Sequence, residues 1–278
     1  MNYFVARYLQ KIICRITMCR IRLLILFAGI ATTPIIFANH STHAETPSSW
    51  RGFYVGANIG VGWGEANQHI TLLGDWLTDG TGDDTFLTPF GNKPLQPQSF
   101  LGGARIGYNY QVKHWVPGII VNVDYLGGNT TDSTGVVTGP APSSNTYTLT
   151  SSYALNWLVT VRPRLGYAIH AFLPYITGGL AIACQQYSQN ITQHNLDYYE
   201  NGSLNNTVYG WTVGAGTEYA LATRWHIMIE YLFVALPSSS MGSSGVLGGA
   251  PYNSYHSTHA VQLDDNIMQL GFTYRFHE

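Results

Sequence analysis

Charge is what this sequence has least of. Only 10% of its 278 residues are Asp, Glu, Lys or Arg, against roughly a quarter in an average soluble domain, so an ordinary water-facing surface is hard to build from it. Cysteine is nearly absent too. Of the three, Cys14 and Cys19 sit close to the start, which leaves Cys184 alone in the rest of the chain and no disulfide framework to expect there. Long apolar runs are missing beyond residue 37, which excludes a bundle of membrane helices, each needing about 20 apolar residues. Mean hydropathy is +0.01, so the 45% of hydrophobic residues are dispersed. No basic cluster follows residue 22 and no glycine-rich phosphate loop carries its lysine, so nucleic acid is not an expected partner.

What is present begins with a leader. Arg7, Lys11, Arg15, Arg20 and Arg22 precede an apolar stretch from Leu23 to Phe37, the layout of a cleaved signal peptide over residues 1–44. Thr42-His43-Ala44 supplies one small-residue cleavage site and Ala38 a second. Cleavage takes five of the thirteen basic residues and none of the fifteen acidic ones, leaving an acidic export product. Residues 45–52 then form a short N-terminal segment.

Eight segments with period-two alternation or strong strand character follow within 53–276, roughly 53–63, 99–110, 117–127, 152–168, 174–186, 207–219, 225–235 and 266–276. Ten residues at about 3.3 Å each and a tilt near 45° rise about 23 Å, the height of the apolar band of an outer-membrane barrel. The connections alternate between about half a dozen residues and more than a dozen, the long ones (64–98, 128–151, 187–206, 236–265) rich in Gly, Ser, Thr, Asn and Pro. These patterns predict an all-β fold: an eight-stranded antiparallel up-and-down transmembrane β-barrel with short periplasmic turns and long extracellular loops.

Parity assigns the faces. Outward rows carry Phe53, Trp63, Trp157, Tyr167, Trp211, Tyr219, Trp225, Phe233, Tyr274 and Phe276, the expected aromatic girdles at the two membrane surfaces. Inward rows carry Arg105, Asp124, Arg162, Arg164, Glu218, Glu230 and Arg275. An eight-stranded barrel has room for little more than its own side chains, and ions in so dry a space need partners, so these seven are expected to form an ion network that closes the lumen.

Five motifs in order, Trp50-Arg51-Gly52-Phe53-Tyr54-Val55-Gly56, Gly107-Tyr108-Asn109-Tyr110-Gln111, Arg162-Pro163-Arg164-Leu165-Gly166-Tyr167, Gly214-Ala215-Gly216-Thr217-Glu218-Tyr219 and Gly271-Phe272-Thr273-Tyr274-Arg275-Phe276, resemble the small outer-membrane β-barrel proteins grouped with opacity-type and 25/31-kDa surface antigens. Such chains usually end on the aromatic, whereas His277 and Glu278 follow Phe276 here. The resemblance implies a Gram-negative outer-membrane surface protein, anchored by its strands, whose loops meet the outside and whose assembly uses the outer-membrane assembly machinery.

The sharper chemical readings are weak. His256 and His259, with His69 and His194, suggest a haem or metal site, but residues on Ser/Gly/Tyr-rich loops have nothing to hold them in place. The run 79–84 lacks the spaced acids of a calcium loop. A deacylase would need a Ser beside His226, and none is placed there. No catalytic residue, metal or cofactor is expected. The expected role is a structural or adhesin-like surface protein that contacts outer-membrane lipid and lipopolysaccharide and presents its loops to a host-surface or matrix ligand. A narrow porin for small solutes is the alternative, and a haem-binding surface protein a further one.

Overall fold

In a computed structural model of the chain, residues 49–276 are described apart from 79, 142 and 143; the leader and its cleavage sites lie outside them. The elements run β1 (Gly52–Gly74), α1 (Asp75–Thr78), α2 (Asp83–Gly91), β2 (Gln98–Asn109), β3 (Trp115–Gly127), β4 (Asn129–Ser133), β5 (Val137–Thr138), β6 (Thr146–Tyr167), β7 (Phe172–Gln193), β8 (Tyr198–Ala220), β9 (Trp225–Leu247) and β10 (Ala250–Arg275). Every pairing is antiparallel. Eight long strands follow one another around the sheet, and β3 pairs with β6 to return it on itself. The terminal strands meet as lipid demands, where an open edge leaves backbone groups without partners: Tyr54 lies opposite Arg275 and Gly74 opposite Tyr255. The two extra segments, β4 and β5, both pair with β6 and continue the wall above β3.

The difference from expectation is the reach of the strands. Six of them are 22 to 26 residues long, about 50 Å of rise at the usual tilt and twice the apolar band. The long links expected at 187–206 and 236–265 are therefore mostly wall, with 194–197 and 248–249 left as turns. On the periplasmic side two-residue turns hold the strands: Val112 and Trp115 exchange backbone bonds of 2.9 and 3.0 Å around Lys113, and Ile169 and Phe172 do the same around His170. Lys113 and His170 take the left-handed φ of 55° and 54° that such turns demand.

Trp50, in the short N-terminal segment, is buried against Val116, Ala168 and Leu173 at the periplasmic end.

Candidate functional site

The interior is built in layers. Lowest is the ionic one, where inward parity brings six of the seven expected residues into ion pairs. Arg162 grips Glu230 with both terminal nitrogens, at 3.0 and 3.1 Å, while Arg105 reaches Oε2 of the same carboxylate at 3.2 Å and the Tyr175 hydroxyl donates to Oε1 at 3.1 Å. Arg164 pairs with Glu218, whose other oxygen takes Arg275 Nη2 at 3.3 Å. Both glutamates and all four arginines are almost fully shielded from solvent. Asp124 is the seventh: it is buried and accepts from Asn58 Nδ2 at 2.6 Å. Asn58 also donates to Gln269 Oε1 at 2.8 Å, and Gln269 in turn donates to Glu230, so Asp124 joins the network through amides. Inward glycines make the room, since a Cβ on Gly216 would stand 2.7 Å from the Tyr175 hydroxyl. Beside this layer His226 rests on Trp50 with ring centres 5.0 Å apart.

Outside, two aromatic belts bracket a wall of exposed Ile59, Val61, Ile106, Ile119, Ile176, Val213, Leu270 and Phe272, an apolar area that water would not tolerate. The periplasmic belt holds Phe53, Tyr167, Tyr219, Trp225, Tyr274 and Phe276. Its rings touch: Trp225 and Tyr274 lie 4.8 Å apart, Tyr274 and Phe276 5.2 Å. The belt also contains Trp115, 5.2 Å from Tyr167, and Phe172, 4.8 Å from Tyr219, neither singled out from the sequence. Trp63, Trp157, Trp211 and Phe233 form the outer belt, with Trp211 and Phe233 5.5 Å apart and Tyr125 set against Trp157 at 5.2 Å.

Residues 31–276 match the family described as outer membrane protein beta-barrel domain. The chain belongs to that family. It resides in the outer membrane, as the family and the names of its relatives state. It is 29% identical over 190 residues to the 31 kDa outer-membrane immunogenic protein of Brucella melitensis, covering 68% of this chain and 72% of that one. It is 27% identical over 228 residues to the 22 kDa outer membrane protein of Rhizobium leguminosarum bv. viciae, covering 82% and 79%. Among solved structures, the outer membrane protein OprG from Pseudomonas aeruginosa aligns with a TM-score of 0.44 at 12% identity, over 82% of this chain and 97% of that one.

Above its ionic layer the barrel is filled by apolar side chains, among them Leu101, Leu126, Leu158, Leu232, Val234 and Leu263. Above these again, the segment 75–97 folds into the mouth. Trp76 of α1 is buried between Tyr147, Tyr198 and Tyr255, with ring centres 6.2, 5.7 and 4.9 Å away, and its indole N–H donates to Glu200 at 3.3 Å. α2 begins after Gly82, whose φ of 72° turns the chain inward. Its first residue, Asp83, accepts from the Tyr147 hydroxyl and from Asn145 Nδ2.

Several residues in the long links expected from the sequence lie inside the barrel: Glu200, Asp83 and Asp265 are all buried. His256 and His259 lie on β10 rather than on a loop, and the four candidate histidines do not converge. His259 is buried, with Nδ1 2.6 Å from Gln189 Oε1 and Nε2 2.7 Å from the hydroxyls of both Ser243 and Ser257; His194 touches Thr148 at 2.9 Å, and exposed His69 lies opposite Ala260. Among the described residues no group of three or more His, Cys, Asp or Glu is disposed to hold a metal. Ser243 and Ser257 also donate to Glu200 Oε1, so this cluster ties the carboxylate that anchors Trp76. Burial pushes the His259 pKa down to about 4, partly offset by Glu200. No sequence signal could have found it, because Glu200, Ser243 and His259 meet only through strand register.

Proposed function

We propose that this outer-membrane barrel is a non-catalytic surface protein whose strands and rim are displayed to the outside while its lumen stays shut, with adhesion to a host-surface or matrix ligand as its activity. The observation that carries the reading is the filled interior: two glutamates holding four arginines, an apolar layer, and a segment latched across the mouth by Trp76. Tall walls support it as well, since more than half of β6 to β10 stands above the outer aromatic belt, and the relatives' printed names describe immunogenic proteins. The assembly machinery is the partner proposed for insertion, and lipid with lipopolysaccharide for the outward wall.

The test is removal of the rim segments 139–145, 194–197 and 248–255, one at a time, in cells scored for binding to host cells or matrix, with planar-bilayer conductance measured in parallel. Loss of binding with one or more deletions and no conductance in any is the expected result. Unchanged binding throughout sinks the adhesion reading, and steady single-channel steps in the intact protein favour the narrow porin.

A further inference from the structure

The wall above the outer belt is not uniform. Strand register lines up Asn129 with Ala154, Ala154 with Gln186 and Gln186 with Asn205, a single row across β4, β6, β7 and β8. The adjacent row pairs Ser152 with Ser188 and Ser188 with Ser203. Both rows line a groove of about 790 Å³ on the outer face, within the size range of small-molecule sites. Next to these rows β6 carries a register shift between Leu155 and Trp157, an irregularity of the kind that bends a wall and re-aims its side chains.

We propose that this groove is a saccharide site that takes the sugar headgroup of outer-leaflet lipopolysaccharide. Three features identify the ligand. None of the lining residues is charged, so the groove lacks the arginine or lysine that makes the strong charge-assisted bonds to phosphate or sulfate and suits a neutral polar group instead. Carboxamides of Asn129, Gln186 and Asn205 each offer donor and acceptor together, which matches the paired donor and acceptor character of neighbouring sugar hydroxyls, and the serine row repeats that match one step higher. Small Ala154 between the amides forms a floor, and Tyr125, half exposed at the lower edge, presents a ring to the C–H face of a sugar.

Height selects the source. Tyr125 belongs to the outer belt through its contact with Trp157, and aromatic belts sit at the level of the lipid headgroups. The groove therefore opens sideways at the membrane surface, where a lipid-borne sugar already stands and a ligand on another cell does not reach. Ser152 donates to Asn129 Oδ1 at 2.9 Å and Thr131 donates to Ser152 at 3.2 Å, which fixes the first amide before a ligand arrives. Preorganisation of this sort raises affinity by lowering the ordering cost.

The test uses the full barrel in lipid nanodiscs titrated with two probes, lipopolysaccharide bearing its core saccharide and lipid A lacking it. Binding of the core-bearing form at least about tenfold tighter, about 1.4 kcal/mol, with displacement by soluble core oligosaccharide, is the expected result. Ala154→Leu, which fills the floor from the outer face and leaves every amide in place, should abolish that preference, while Ala154→Ser keeps it. Equal binding of the two probes overturns the proposal, as does Ala154→Leu behaving like the unaltered protein in a barrel whose heat-induced gel shift is normal. The site rests on the outer-membrane location and not on adhesion, and rim deletions that abolish cell binding leave this titration unmoved.

Discussion

At the scale of single residues the lumen is governed by the cost of burying charge. Glu230 holds Arg105 and Arg162 together, so removing that carboxylate leaves two guanidinium groups in a dry interior. Glu230→Leu is expected to cost about 3 to 5 kcal/mol, read as a lower temperature for the gel shift between folded and heat-unfolded barrel. Replacing Arg105 and Arg162 with Met in the same chain should return most of that loss, because a buried ion cluster is often no more stable than an apolar set of equal volume. A triple variant as unstable as the single one would show that packing, not charge, made Glu230 necessary. The identity of these residues was legible in the sequence because a strand has only two faces and lipid forbids charge on one of them. Their partners were not. Which arginine meets which glutamate depends on the height each reaches after eight strands are staggered, and Asp124 ended beside Asn58, a neutral residue that parity alone did not single out.

At the scale of elements the sequence showed the membrane-crossing half of each strand and hid the rest. Alternation is visible where outward residues are Ile, Val, Phe or Trp. Beyond the outer belt the outward row turns to Ser, Thr, Asn and Gln and only scattered apolar residues such as Tyr187, Ile191 and Met241 mark the inward row, so composition there reads as loop even though the ladder continues. In β9 the reverse masking occurs, since Tyr231 to Ala235 is apolar on both faces. The capping segment follows the same logic: its sequence resembles turn, and Trp76 becomes an anchor only because Tyr147, Tyr198 and Tyr255 arrive from three different strands. Trp76→Ala should cost about 3 to 5 kcal/mol locally. It should expose 75–97 to added protease while the strands stay protected; an uncleaved segment would show that the tryptophan is not the latch. The His259 ring adds a pH dependence. Its pKa of about 4 in the closed mouth lies below the ordinary 6.5, so between those values an opened mouth binds a proton that the closed one does not. Closure is therefore strongest above pH 6.5 and weakens as pH falls toward 4, by about 1.4 kcal/mol for each unit inside that window. Hydrogen exchange of residues 75–97, corrected for its intrinsic rate, should quicken from pH 7 to pH 5, and His259→Gln should flatten the difference.

At the scale of the whole molecule the question is which layer shuts the barrel. Eight strands enclose space for side chains and little else, and on the closed-lumen reading proposed above three layers act in series: the glutamate–arginine layer near the periplasmic end, the apolar layer around Leu101, Leu126 and Leu232, and the cap. Layers in series make closure redundant, so removing the outermost should not create a pore. Replacing residues 75–97 with a short Gly-Ser link is thus expected to widen the mouth and leave planar-bilayer recordings without steady steps, as in the intact protein. The physical reason lies below the cap, where Leu126, Leu158, Leu232 and Leu263 belong to one buried apolar cluster that offers an ion no replacement for its water. If the capless barrel did conduct, the gate would be the cap and the two lower layers would have to move aside when Trp76 leaves. In that case conductance should follow the same pH window as His259, rising from pH 7 to pH 5 in the uncut protein. Recording the intact and capless barrels at both values separates the two outcomes: silence in all four conditions establishes the lower layers as the seal, whereas steps in the capless form alone, joined by acid-induced steps in the intact one, establish the cap.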